Sequence, residues 1–77
     1  MNLYLISQTD NTDYDSYDEA VVAAESLHNA GLIHPSGGKS WDAYTWCYDP
    51  QDVNVEYIGV AKDNTKAGVI CASFNAG

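Results

Sequence analysis

Arginine is absent from this chain of 77 residues, and lysine occurs only three times, at Lys39, Lys62 and Lys66. Against them stand eleven aspartates and glutamates, for a net charge of −8. At most three acids can find a basic partner within the chain, so the others face water or a basic ligand. The shortage of cations argues against direct nucleic-acid binding, because phosphate contacts need Lys and Arg. It disfavours anionic membrane surfaces for the same reason. Apolar runs are short too, and none approaches the ~20 residues that span a bilayer as a helix. The opening Met1–Ile6 has neither the basic region nor the apolar run of an export signal, so the expected location is a cytoplasm, that of a bacterial cell. Cys47 and Cys71 are the only cysteines, and in that setting they are expected to be buried free thiols.

What is present is enough for a folded domain. Hydrophobic residues make up 45% of the chain and charged ones only 18%, with two Trp and six Tyr, a composition that excludes a disordered tail. Residues 1–77 form a single domain with a thin core, since a chain of this size buries only about 60% of its unfolded surface.

The apolar residues Leu3, Leu5 and Ile6 predict a first strand over Leu3–Gln8, followed by a polar loop. Residues 17–33 admit one helix capped by Ser16, or a strand over Tyr17–Ala24 and a short helix capped by Ser26. Val21 and Val22 favour the second reading. His34-Pro35 ends the helix, with His34 read as its C-terminal cap. The aromatic stretch Trp41–Tyr48 reads as extended and Asp49–Asp52 as a turn. Val53–Val60 alternates, Lys62–Lys66 is a polar turn, and Gly68–Phe74 is a last strand, so residues 53–74 read as a hairpin. The sum is an α+β domain: a small antiparallel sheet of about four strands with one helix packed on a face.

Five of the eleven acids, Asp10, Asp13, Asp15, Asp18 and Glu19, fall within ten residues and are interleaved with Tyr14 and Tyr17. In extended backbone, Asp13 and Asp15 would stand ~6.6–6.8 Å apart on one face, close to the spacing of successive phosphates along a DNA strand. A rigid row of this kind can meet the Lys and Arg that normally neutralise phosphates. The competing reading is a solvated loop that keeps the protein soluble. Trp41, bordered by Asp42, adds a candidate interface anchor.

Other chemistries fit poorly. A calcium loop would need a glycine and a twelfth-position glutamate that the acidic run lacks. Gly38-Lys39-Ser40 resembles the end of a phosphate-binding loop, but Ile33 stands where the first glycine belongs. Zinc spacing is missing among Cys47, Cys71, His28 and His34, and neither cysteine sits in a nucleophile motif. No catalytic residue, metal or cofactor is expected, and the protein is read as not an enzyme.

Three segments, Leu3–Thr9, Ala20–Ser26 with Ile33–Pro35, and Val55–Gly59 with Gly68–Gly77, together resemble a group of small phage- and prophage-encoded proteins of unassigned role. The resemblance implies an accessory protein made in a bacterial host. By analogy it suggests an inhibitor of host defence, of the anti-CRISPR or anti-restriction type. The expected function is therefore an acidic nucleic-acid mimic that blocks a basic DNA-binding surface. Its partner would be a CRISPR effector or restriction enzyme, met as a monomer or small homo-oligomer. Asp10, Asp13, Tyr14, Asp15, Tyr17, Asp18, Glu19, Trp41 and Asp42 are the expected contact residues. Two alternatives stay open: a protein that sequesters a signalling nucleotide through Ser36–Trp46, and a structural or assembly accessory.

Overall fold

The computed structural model describes residues 1–38 and 41–76. Its frame is a four-stranded sheet built from β1 (Asn2–Ser7), β2 (Ser16–Ala24), β3 (Asn54–Val60) and β4 (Gly68–Asn75). One helix of five residues, α1 (Leu27–Gly31), and a 3-10 turn at Pro50–Asp52 complete the regular structure. The expected α+β class holds, with a helix barely longer than one turn. Residues 17–33 divide as the β-branched pair Val21-Val22 implies: a strand, then a helix whose first turn is capped by the Ser26 hydroxyl accepting from the Asn29 N–H.

The strand order is β3-β1-β2-β4, and every neighbouring pair is antiparallel. The expected hairpin over residues 53–74 is therefore incorrect. Its two strands lie at opposite edges of the sheet, β3 on β1 and β4 on β2. The segment 61–67 crosses the whole end of the sheet. Three strand spacings amount to about 14 Å, and seven residues reach about 24 Å when extended, so the crossing is unstrained. A local turn signal at Asp63-Asn64, where Asn64 adopts a positive φ of 69°, cannot distinguish this crossing from a tight hairpin.

One face of the sheet carries the core. Tyr4 and Ile6 of β1 and Ala20, Val22 and Ala24 of β2 point toward Ala30 of α1 and toward Trp46 and Cys47. The short helix covers only part of this face, and residues 32–38 and 41–53 cover the rest. Trp41–Tyr48 is not extended as expected but a series of turns. The reason is local hydrogen bonding: the Asp42 carboxylate accepts from the Tyr44 N–H at 2.9 Å and from the Thr45 hydroxyl at 3.0 Å. The fold thereby places Trp46 at the centre of the core, fully buried.

His34 is likewise not the helix cap, a position that Leu32 takes. It is buried beneath the covering segment, edge-on to Tyr17 and Trp41 with ring centroids 6.1 and 5.9 Å away. The Ser36 N–H donates to Nδ1 at 3.1 Å, which leaves the neutral ring's proton on Nε2, 3.1 Å from the Asp42 carbonyl. The expectation of two buried thiols holds for Cys47 and fails for Cys71, which is exposed on edge strand β4; both are free.

Candidate acidic interface

The strand registers sort the charges into two ends. Ser7 of β1 lies opposite Glu19 of β2 and Asn54 of β3, so the loop 8–15 and the 3-10 turn before β3 share one end of the sheet. Asp10, Asp13 and Asp15 come from the first, Asp49 and Asp52 from the second. Asp10 is within hydrogen-bonding reach of Asp52, and Asp49 is close enough for its charge to act there. At the far side of the same end, the Asp15 N–H donates to the Asn75 carbonyl, and the Asn75 amide donates to the Asp13 carbonyl at 3.3 Å. Five carboxylates thus form a band across the sheet end from the β3 side to the β4 side, a width of about 14 Å. Lys62 and Lys66 lie in the crossing segment at the opposite end, where the Ala61 N–H bonds the Met1 carbonyl at 3.0 Å.

The band differs in form from the expected row. Asp13-Tyr14-Asp15 is a turn, with Asp15 at φ 62°, so these carboxylates do not line one face of an extended strand. Asp18 is the inserted residue of a bulge in β2, and Glu19 faces the uncovered side of the sheet opposite Ser73. Tyr17 is half-buried, packed edge-on to Phe74 with centroids 4.8 Å apart. Trp41 is also half-buried, its indole N–H donating to the Cys47 carbonyl at 2.8 Å. Asp42 is spent on its own turn. Tyr17, Trp41 and Asp42 therefore serve the fold, whereas Asp10, Asp13, Tyr14, Asp15, Asp18 and Glu19 are exposed. The aromatic side chains that the end does present are Tyr14, Tyr44 and Tyr48, exposed by 73%, 90% and 67%.

Two amides fix the loop that carries the band. Gln8 is buried and forms a pair of bonds with the Asn11 backbone: its Oε1 accepts from the Asn11 N–H at 2.8 Å and its Nε2 donates to the Asn11 carbonyl at 2.7 Å. Nε2 also donates to the Tyr17 carbonyl at 2.9 Å. Asn11, buried in turn, donates from Nδ2 to the carbonyls of Tyr44 at 2.9 Å and Trp46 at 3.1 Å, with Ala43 at 3.4 Å. Its Oδ1 accepts from the Asp13 N–H at 3.1 Å. Sequence reading took Gln8 for the end of the first strand and Asn11 for loop composition. The signal that could have found them is an Asn followed two residues later by an Asp, an Asx-turn pattern. The carbonyls that Asn11 satisfies, more than thirty residues away, leave no local trace.

Mutual repulsion perturbs the band. Partial desolvation, then a carboxyl–carboxyl hydrogen bond with Asp10 and the charges of Asp10 and Asp49, push Asp52 above the usual aspartate range. Asp42 moves the other way, held down first by the Tyr44 N–H and then by the Thr45 hydroxyl. Burial, reinforced by the charge of Asp10, pushes the Cys47 thiol up to about 11 and keeps it unreactive at neutral pH. A raised carboxyl favours the folded state below its unfolded value, and that benefit is lost as pH rises through the folded value. Asp52→Asn, a mimic of the neutral form, is therefore expected to be more stable than the parent at pH 7 and equal to it near pH 3. Urea midpoints at the two pH values check this.

Among the described residues, no three His, Cys, Asp or Glu side chains come together in a way that would hold a metal ion. No helix among them is long and apolar enough to cross a membrane. An open depression of about 370 Å³ lies between Leu32–Gly38 and Ala67–Val69, beside the glycine turn. Lys39 and Ser40, on which the nucleotide-binding alternative rests, lie outside the described residues, as does Gly77. No protein-family model matches the chain, and neither a curated protein nor a solved structure does.

Proposed function

We propose that this protein is a non-enzymatic inhibitor of a bacterial defence complex, an acidic phage protein that occludes a Lys- and Arg-rich surface built for nucleic acid. The observation that carries the reading is the band Asp10, Asp13, Asp15, Asp49 and Asp52 at one sheet end, with Tyr14, Tyr44 and Tyr48 exposed around it. Its loop is fixed by the Gln8 and Asn11 hydrogen bonds, so little conformational entropy is lost when a partner is met. Rigid charge set among exposed tyrosines suits a basic protein surface: the charge steers the encounter, and the tyrosines bury area on contact. The defence context comes from the resemblance to phage proteins.

The test is a pull-down from a host lysate with salt-graded elution, followed by affinity measurement. Binding is expected to weaken steeply with salt, and Asp10→Asn/Asp13→Asn/Asp15→Asn together to abolish it. Asparagine suits the positive φ at position 15, so the triple variant keeps its melting temperature. An affinity that hardly changes between low and high salt, or survives the triple substitution, sinks the reading.

A further inference from the structure

Edge strands present unpaired N–H and C=O groups, and soluble proteins blunt them with charge, proline, bulges or a covering segment. The two edges of this sheet differ in this respect. β3 carries Glu56, and a bulge at Ile58 followed by Gly59 at φ 152° interrupts its ladder. β4 reads Gly-Val-Ile-Cys-Ala-Ser-Phe-Asn over Gly68–Asn75, with neither charge nor proline. Its inserted residue is Ile70, and from Cys71 to Asn75 no further residue is inserted in the strand. Residues 70–74 are all exposed, among them Ile70 and Phe74. Among the described residues, the one main-chain hydrogen bond reaching β4 from outside the sheet ladders is that of Asp15 to Asn75.

We propose that β4 pairs with β4 of a second copy of this chain, antiparallel about a two-fold axis, to give a continuous eight-stranded sheet. The charge distribution selects this occupant and this direction. β4 starts two residues after Lys66, at an end of the sheet that also holds Lys62, Asp63 and Glu25, and ends beside Asp13 and Asp15. An antiparallel second copy sets this charge-balanced end of each molecule alongside the acidic end of the other, twice by symmetry. A parallel copy would set acid against acid. The uncharged strand between the ends allows the close approach that a net charge of −8 on each copy would otherwise oppose. Asp10, Asp49 and Asp52, on the β3 side of each band, stay clear of the joint, so the dimer presents two such groups at opposite ends.

Sedimentation equilibrium of the full chain from about 1 to about 300 µM tests this, because an edge of this size buries less than a standard interface and associates in the micromolar range. The expected result is a mass that doubles across the range. Ser73→Lys is expected to abolish the doubling, and Val60→Lys, on the β3 edge, to leave it unchanged. A mass that stays monomeric throughout overturns the proposal whatever the variants do. So does a dimer that survives Ser73→Lys or is lost with Val60→Lys. Should Ser73→Lys fail to fold, hydrogen exchange of the parent decides: β4 amides slow at the high concentration if the proposal holds, and exchange equally at both if it is wrong.

Discussion

Replacing Asn11 by aspartate, an exchange of one NH2 group for an oxygen, is expected to remove a large part of the domain's stability at neutral pH and to spare much of it in acid. Asn11 Nδ2 is the donor that faces the Tyr44 and Trp46 carbonyls, at 2.9 and 3.1 Å, with Ala43 just beyond. A carboxylate oxygen in its place would be a buried charge aimed at carbonyl dipoles of the wrong sign. The loss of a buried charge's partners typically costs about 3–5 kcal/mol, against a total of roughly 4–12 kcal/mol for a domain of this length. The carboxyl of the variant would have its folded-state pKa raised, so stability returns as pH falls through that value and the acid regains a hydrogen to donate. Urea unfolding at pH 7 and pH 4 measures the effect. A variant as stable as the parent at pH 7 would show that the amide does not hold the two loops together.

Trp46→Ala is expected to remove a large share of the domain's stability. Trp46 has no exposed surface and sits where residues 41–53 close over Ile6, Ala20 and Val22. Truncating a buried tryptophan costs about 3–5 kcal/mol, and the alanine-lined surroundings are too small to collapse into the space. Trp46→Phe tells more. The Trp46 indole N–H is buried with no hydrogen-bond partner among the described residues, so phenylalanine removes an unsatisfied donor while keeping most of the ring. Its loss is expected to be under half that of the alanine variant. Thermal and urea melts of the two variants compare them directly, and equal losses would mean that ring volume alone decides.

The elements of this fold were legible where the reason for them was local. Val21-Val22 and the Ser26 cap marked the division of residues 17–33, and the alternation around Val55 and Tyr57 marked β3. Pairing was not legible, because two alternating strands joined by a polar turn read as a hairpin whether the connection turns back or crosses three strand spacings. Trp41–Tyr48 misled through its aromatic spacing, although the turn chemistry was present in Asp42, two and three residues before its acceptor contacts at Tyr44 and Thr45. Three of the five carboxylates of the acidic band were visible as a run. Asp49 and Asp52 join Asp10 across some forty residues of chain, and their part in it appears only once β3 is seen to return to β1.

The strand order also fixes when the molecule can be finished. β1 and β2 are joined by a short loop and can pair as soon as both have been made. The outer side of β2 waits for β4, more than forty residues later, and the Asp13–Asp15 turn waits for Asn75. A growing chain therefore carries an open β2 edge until residues 68–75 have emerged, and its late, long-range closure is slow by nature. The lysines at 62 and 66 are made just before that closure, against Asp63 alone, and the strand itself carries no charge, so the segment that seals the sheet arrives with a small positive charge in a strongly acidic chain.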